Sequence, residues 1–192
     1  MTISTAAFIH PTAEVERDVR IGDGTRVWHQ AQIRTRAVIG ERCIVGKGVF
    51  IDFDVVIGDD CKFQNYACVY HGVTLGRGIF VGPHVVFTND MHPRATTPTF
   101  ESLRDGDWEV GTTVVEDGAA IGANSTILPN VRIGAWSMVG AGSTVTRDVP
   151  AYALVVGSPA RQVAWLCPCG RKVDTAECSK CGPLPGGHPL FG

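Results

Sequence analysis

The sequence predicts an all-β chain wound into a parallel β-helix, a stack of triangular coils. Two observations support this fold class: an apolar residue at every sixth position from residue 9 to residue 87, and a small or β-branched residue four positions after most of them. A period of six fits neither a lone helix nor a lone strand, but it suits a short strand followed by a corner. The apolar positions are Ile9, Val15, Ile21, Val27, Ile33, Ile39, Val45, Ile51, Ile57, Phe63, Val69, Leu75, Val81 and Phe87.

Three six-residue units make one coil, and coils stack at the β spacing of about 4.8 Å. Glycine often follows the apolar residue, as in IGDGTR (21–26) and IGDDCK (57–62). We expect Gly, Asp and Asn to occupy the corners, where a positive φ is tolerated. The period therefore predicts a hexapeptide-repeat solenoid whose apolar and small residues both point inward.

Three segments follow from where this period holds and where it fails. Residues 1–150 form the β-helix domain, with residues 1–8 covering its lower edge and an extruded loop over 88–114, because the period stops at Phe87 and resumes at Val115. A loop of this length in a compact domain is usually functional or disordered, and the mixture of polar and large apolar residues here favours function. Residues 151–166 read as a strand, a turn and a short helix, and 167–192 as a cysteine-rich tail.

Composition narrows the class of protein. The net charge is −2 with no basic stripe, which argues against a nucleic-acid partner. The first ten residues lack the features of a signal peptide, and no apolar run approaches the ~18 residues needed to cross a bilayer. We therefore expect a cytoplasmic protein without membrane insertion. The flat outer faces, rich in Val, Ile and Ala, expose more apolar area than a monomer usually does, which predicts a homotrimer.

The eighteen-residue coil gives the vertical neighbours on each corner. Asn89 lies one coil above His71, which lies above Phe53, beside the base of the extruded loop. This corner is where we place the candidate site. A second corner stacks His29, Lys47 and Asn65 under Pro83. We expect His10 and His188 to be ordinary surface residues.

Six of the seven cysteines fall into two groups. Cys43 and Cys61 occupy inward small positions and are expected to fill the core. Four others form a C-x-C pair, eight residues and a C-x-x-C pair, which suits a closed structural zinc site. These predicted metal ligands are Cys167, Cys169, Cys178 and Cys181. A free or oxidised tail is the alternative.

The chain resembles the hexapeptide-repeat, left-handed β-helix acyltransferases. Within them it is most similar to the 3-amino sugar-nucleotide N-acetyltransferases of O-antigen and surface-polysaccharide synthesis. The similarity covers nearly the whole chain, and the segment from FTND to PRA before the long loop is its most specific part. The segments that carry it are VWHQAQIR (27–34), NYACVYHGVTL (65–75), VGPHVVFTNDMHPRA (81–95), VVEDGAAIGANSTI (114–127) and VPAYALVVGSPARQVAWLC (149–167).

This resemblance implies a left-handed coil, acetyl-CoA as the donor and a UDP- or dTDP-linked 3-amino sugar as the acceptor, bound between subunits of a trimer. It implies catalytic roles for Asn89 and His71. The implied substrate-binding residues are Trp28, His29, Tyr70, Asp90, His92 and Arg94. The implied cofactor-binding residues are Gly111, Ala123, Ala141 and Arg161.

Two departures from the family pattern leave alternatives open. His71 stands where many relatives have an acidic residue, and His92 beside Pro93 is more similar to hexapeptide enzymes that acetylate sugar hydroxyls. A neutral amine needs no strong base, whereas a hydroxyl acceptor would need one, here His92 or His71. A γ-type carbonic anhydrase would need three histidines on zinc, nominally His71, His84 and His92. A non-enzymatic solenoid would leave the long loop unexplained.

Overall fold

The computed structural model describes residues 2–104 and 106–190, which form strands, turns and irregular segments. Strands are numbered in chain order, and every third strand stacks on the same face of a triangular prism. Face 1 contains β1 (Thr2–Ile3), β4 (Arg20–Ile21), β7 (Val38–Ile39), β10 (Val56–Ile57), β13 (Val73–Leu75), β16 (Thr113–Val115) and β19 (Arg132–Ile133).

Face 2 contains β2 (Phe8–Ile9), β5 (Arg26–Val27), β8 (Ile44–Val45), β11 (Lys62–Phe63), β14 (Phe80–Val81), β17 (Ala120–Ile121) and β20 (Met138–Val139), extended by β22 (Ala153–Val156), β23 (Arg161–Leu166) and β24 (Lys172–Val173). Face 3 contains β3 (Glu14–Val15), β6 (Gln32–Ile33), β9 (Phe50–Ile51), β12 (Cys68–Val69), β15 (Val86–Phe87), β18 (Thr126–Ile127) and β21 (Thr144–Val145). A separate hairpin pairs β25 (Glu177–Cys178) with β26 (Gly182–Pro183).

From β1 to β22 neighbouring strands within each prism face are parallel, and residues eighteen apart in the repeats lie directly above one another, as in the pairing of Ile21 with Ile39. From β1 to β21 the last residue of each strand points into the prism, and from β4 onward it is buried. Phe63 and Phe87 are fully buried, and so are the predicted small positions such as Ala31 and Cys43. Each fully buried Ile, Leu or Phe contributes roughly 1.5–3 kcal/mol relative to an exposed one. The predicted fold class, an all-β parallel solenoid, is confirmed.

The corners correct one detail of the sequence interpretation. The residue with positive φ comes three positions after most of the inward apolar residues, and it is more often a polar or bulky residue than glycine. Gly22 and Gly40, which directly follow the apolar residue, have another role. A Cβ on either would lie 2.7 Å or less from atoms of the coil above. These glycines are needed for close stacking of coils rather than for a left-handed backbone.

Both ends of the prism differ from expectation. Thr2–Ile3 already pairs with Arg20–Ile21, so the first residues form part of the lowest coil rather than a covering segment. The expectation of a short helix near 161–165 is wrong. Arg161–Leu166 is a strand antiparallel to Ala153–Val156, and this pairing satisfies backbone groups that a helix would have bonded internally.

The tail docks onto the prism through His188, which is buried rather than on the surface as expected. Its Nε2 lies 2.9 Å from the carbonyl oxygen of Leu166, and its Nδ1 accepts a hydrogen bond from the amide of Leu190. Its ring also packs on Tyr152, with centroids 4.6 Å apart. The described residues contain no helix long and apolar enough to cross a membrane.

Candidate active site

The extruded loop leaves and re-enters the prism at the corner between face 3 and face 1. Strand partners are 18 residues apart below the loop and 40 apart across it, as for Val73 and Thr113, so the loop adds 22 residues (40 minus 18). Its base is closed by the amide of Gly111, which donates to the carbonyl of Asn89 at 2.9 Å. The amide of Thr113 donates to the carbonyl of Gly72 at 3.0 Å. The loop is therefore anchored beside Asn89.

Between the loop and this corner lies a cavity of about 620 Å³, within the range of small-molecule sites. Asp90, His92 and Arg94 line it, together with Trp108 from the far side of the loop. Asp90 Oδ1 accepts a hydrogen bond from the backbone amide of His92 at 2.7 Å, which shapes the entry into the loop. Arg94 donates to the carbonyl of Pro93. Three predicted substrate-binding residues thus share one cavity.

A vertical column of side chains stands at the same corner, as the coil length predicted. The rings of Phe53 and His71 stack with centroids 4.1 Å apart, and Arg34 lies below, 5.4 Å from the centre of the Phe53 ring. Above them, Asn89 Nδ2 donates to the carbonyl of His71 at 3.2 Å. Tyr70 lies at this corner too, with its ring 5.3 Å from that of Phe50.

The contacts of this column define which atoms face a substrate. His71 Nδ1 lies 3.0 Å from the carbonyl oxygen of Phe53. Since a carbonyl can only accept, neutral His71 carries its proton on Nδ1, and Nε2 is left with a lone pair. Asn89 uses its Nδ2 on the carbonyl of His71, so its Oδ1 is the atom that can accept a hydrogen bond from a ligand. The corner therefore presents two acceptors, His71 Nε2 and Asn89 Oδ1.

Sequence reasoning missed Asp52, a buried carboxylate below His71. Its Oδ1 accepts hydrogen bonds from Arg34 Nη1 at 2.9 Å and from the amide of Phe53 at 2.8 Å. Its Oδ2 accepts from the amide of His71 at 3.2 Å. The eighteen-residue rule places Asp52 directly above Arg34, so this signal was present in the sequence.

Two predicted substrate residues lie elsewhere in the chain. Trp28 and His29 are at the corner between faces 2 and 3, roughly 16 Å below Asn89 along the prism axis at about 4.8 Å per coil. Phe8 packs on Trp28 and His10 stacks on His29, with ring centroids 5.4 Å and 3.5 Å apart. Loss of hydration, and then the neighbouring His29, lower the pKa of His10. Within one chain this aromatic group does not meet Asn89.

The predicted cofactor residues occupy two parts of the upper coils. Gly111 is at the loop base, where a Cβ would lie 2.4 Å from Pro129 Cβ. Ala123 and Ala141 follow one another up the corner between faces 2 and 3, since the amide of Gly142 donates to the carbonyl of Ala123. Arg161 lines a smaller cavity of about 200 Å³ at the top of the prism.

The four tail cysteines converge. The sulfur atoms of Cys167, Cys169, Cys178 and Cys181 all lie within 4.8 Å of one another, with 3.8 Å between those of Cys169 and Cys178. Four sulfurs at about 2.3 Å from one ion in a tetrahedron would be about 3.8 Å apart. Amides of Lys180 and Cys181 lower the pKa of Cys178 to about 7, which favours the thiolate. This group can hold a metal ion.

Histidines do not form a comparable group. His84 stacks on Tyr66 at the corner between faces 2 and 3, away from His71 and His92. Among the described residues, only the four cysteines bring three or more potential ligand side chains of His, Cys, Asp or Glu close together. The three histidines nominated for a carbonic anhydrase site are not assembled within the chain.

The repeat pattern of one protein family, the bacterial transferase hexapeptide family, matches residues 18–52, 54–89 and 112–147. The chain belongs to this family of hexapeptide-repeat transferases, whose fold is the left-handed parallel β-helix. Among its relatives, the dTDP-3-amino-3,6-dideoxy-alpha-D-galactopyranose 3-N-acetyltransferase of Aneurinibacillus thermoaerophilus is 41% identical over 183 residues, covering 93% of this chain and 90% of the relative.

More distant relatives include serine acetyltransferase 4 of Arabidopsis thaliana, 36% identical over 124 residues, which covers 64% of this chain and 28% of the relative. Among solved structures, a mutant of perosamine N-acetyltransferase from Caulobacter crescentus, in complex with CoA and GDP-perosamine, superposes with a TM-score of 0.51 at 27% identity. The match covers 84% of this chain and 58% of that protein. The predicted family resemblance is confirmed.

Proposed function

We propose that this protein transfers the acetyl group of acetyl-CoA to the amino group of a nucleotide-linked amino sugar. The observation that carries the proposal is Asn89, held over His71 and hydrogen-bonded to Gly111 of the loop cavity, in a chain 41% identical to a dTDP-3-amino sugar N-acetyltransferase over almost its whole length. A UDP- or dTDP-linked 3-amino sugar is the acceptor that this similarity favours. The product would serve O-antigen or another surface polysaccharide.

The chemistry needs orientation more than a strong base. A neutral sugar amine attacks a thioester directly, and Asn89 Oδ1 would accept one of its N–H groups to aim the nitrogen lone pair at the carbonyl carbon. A backbone amide from the neighbouring coil would stabilise the oxyanion of the tetrahedral intermediate. His71 Nε2 would accept the proton that the amine loses, and the departing CoA thiolate is a second acceptor for it.

The proposed site is completed by a second subunit. Trp28 and His29 lie on another corner, so they reach the loop cavity only if a neighbouring prism supplies them. Phe100, at the tip of the loop, is 87% exposed, and Phe8 and Phe80 on face 2 are each at least 40% exposed. Such apolar side chains favour packing of prisms around a threefold axis, which makes the homotrimer part of the proposal.

Acetyl-CoA would bind along the upper coils. Gly111 donates its amide to the carbonyl of Asn89 and would thereby fix the loop base next to the thioester. Ala123 and Ala141 offer a narrow, small-residue corner for the pantetheine arm. Arg161 at the top of the prism would contact the phosphates.

For the tail we propose one structural zinc ion held by the four cysteines. Their sulfur spacing fits tetrahedral coordination, and all four protein ligands leave no position for substrate, so the ion would stabilise the tail rather than catalyse. All seven cysteines are free, which together with the proposed substrates fits the cytoplasm.

The proposal is tested by measuring thiol release from acetyl-CoA across a panel of acceptors. The panel contains 3-amino and 4-amino sugars linked to UDP, dTDP and GDP, each beside its hydroxyl counterpart. We expect turnover with an amino sugar, most with a UDP- or dTDP-linked 3-amino sugar. Turnover confined to hydroxyl sugars would replace the proposal by O-acetylation, and no turnover with any acceptor would end it.

A further inference from the structure

The buried carboxylate of Asp52 is the least expected group at the active-site corner. It is 6% exposed, although Asp is rarely buried unless paired. Burial of a charge is costly unless hydrogen bonds and a counter-charge offset it, and here Arg34 and two backbone amides provide both. The arrangement therefore stabilises a particular conformation of the chain around Asp52.

Each contact of Asp52 fixes part of the column above it. Through Oδ2 it holds the amide of His71, and through Oδ1 it holds the amide of Phe53. The carbonyl of Phe53 in turn receives His71 Nδ1, and the carbonyl of His71 receives Asn89 Nδ2. Asp52 thus sets the position of His71 and Asn89, the two residues whose acceptor atoms are left without a partner at this corner, while its own carboxylate stays buried below them.

A second acid in the fold makes two contacts of the same kind away from the site, one with an arginine and one with a backbone amide nineteen residues later. Glu116 accepts hydrogen bonds from Arg132 Nη1 at 2.7 Å and from the amide of Ala135 at 3.0 Å, nineteen residues further along the chain. The residues above Glu116 carry no group of the proposed site. An acid paired with an arginine therefore stabilises corners of the repeat in general. In the Asp52–Arg34 pair, the stabilised corner is the one that carries His71.

We infer that Asp52 is a positioning residue for the proposed acetyl transfer. Together with Arg34 it fixes His71 as the Nδ1-protonated tautomer, with Nε2 free to accept a proton, and it fixes the amide of Asn89 above. The acetyl-transfer part rests on the proposed function, whereas the tautomer is a property of the resting protein. This separation allows the two to be tested independently.

Asp52→Asn is the informative variant, and Glu116→Gln is its matched control. If the Asn carbonyl oxygen stays toward Arg34 and the amide of Phe53, its NH₂ group faces the N–H of His71, so two donors oppose each other. Displacing His71 and Asn89 by a fraction of an ångström should lower kcat on the order of tenfold or more, with both KM values within about twofold. In Glu116→Gln the new NH₂ group likewise faces a backbone N–H, that of Ala135, but away from the site. This variant should keep kcat within about twofold of the wild-type value.

The experiment combines these kinetics with ¹⁵N NMR of the histidine-labelled full chain, with His71 assigned by its loss in His71→Gln. Wild-type His71 should show the neutral ring protonated on Nδ1, and Asp52→Asn should mix the two tautomers while Glu116→Gln does not. An Nε2-protonated His71 in the wild type, or equal kcat in the two variants, would overturn the inference. The wild-type tautomer decides the question even if Asp52→Asn fails to fold. If His71 is protonated on Nδ1 but the protein acetylates no acceptor, only the proposed function is refuted. The role of Asp52 in fixing the His71 tautomer is then retained.

Discussion

Gly72 is the residue at which a single methyl group should damage both the fold and the site. It has φ +93°, and a Cβ there would lie 2.4 Å from the carbonyl oxygen of Gly111, which closes the base of the loop. Gly78, one repeat later, has φ +66° and no other atom nearer than 4.0 Å to its Cβ position. The two glycines therefore separate backbone strain from steric conflict.

The expected losses of stability follow from the backbone strain and the steric conflict. Left-handed backbone costs a residue with a Cβ roughly 1–2 kcal/mol, so Gly78→Ala should destabilise the fold by about that amount. In Gly72→Ala the conflict with backbone adds about 1–3 kcal/mol, typical of overpacking. Gly111 must move away from the new methyl group. Because its amide is hydrogen-bonded to the carbonyl of Asn89, this movement should also shift the loop base and lower kcat/KM by on the order of tenfold or more.

The assay is urea unfolding followed by tryptophan fluorescence at one protein concentration, together with kcat/KM for acetyl transfer. Gly78→Ala should retain wild-type kcat/KM, and Gly72→Ala should lose both stability and activity beyond it. If the two variants were equally stable and equally active, the close approach of Gly72 to Gly111 would not exist in solution.

Three further predictions follow from the tail, the charged corners and the outer faces. Protein prepared without chelator should contain about one zinc per chain, and removal of the metal or Cys178→Ser should release the tail from Tyr152, seen as faster proteolysis after residue 166. Hydrogen bonds from Arg36 and Arg42 lower the pKa of Asp54 and Asp60 below the ordinary 3.8, so the stability that these carboxylates add is present above that value and is lost as the pH falls through their lowered pKa values. The urea midpoint should thus be flat from pH 7 to about 5 and fall below about 4, with a shallower fall in Asp60→Asn; an unchanged slope in that variant would contradict this account. Sedimentation should give a trimer, and a monomer at micromolar concentration would contradict the shared site.

The repeat made the fold and the column of side chains at the candidate site predictable. Fourteen apolar residues in one phase determined which side chains are inside, and the coil length alone placed Asn89 over His71. The same rule would have paired Arg34 with Asp52, but a charged residue one position after Ile51 looks like an ordinary surface residue in the sequence. Its ion pair with Arg34 and its hydrogen bonds from two backbone amides together explain why it is buried.

Other features depend on contacts that no period encodes. The segment after Gly157 is apolar enough for either a helix or a strand, and its pairing with Ala153–Val156 decides the outcome. His188 lies in a Pro- and Gly-rich tail, where nothing in the sequence indicates that Leu166 and Tyr152 would enclose it. The cavity likewise depends on how the 22 extra residues fold back over Asn130, which lies forty-one positions after Asn89 in the chain.

The role of Asn89 in acetyl transfer is tested most directly by kcat/KM of Asn89→Ala with acetyl-CoA and the best amino sugar-nucleotide of the panel. Asp59→Ala is the control, because Asp59 also bonds the coil below it, through the amide of Glu41, but at the corner between faces 1 and 2. We predict a loss of at least about tenfold in Asn89→Ala, in line with the loss of one orienting hydrogen bond in a transition state, and a value within about twofold of wild type in Asp59→Ala. Wild-type kcat/KM in Asn89→Ala would contradict the assignment of this corner as the site of acetyl transfer.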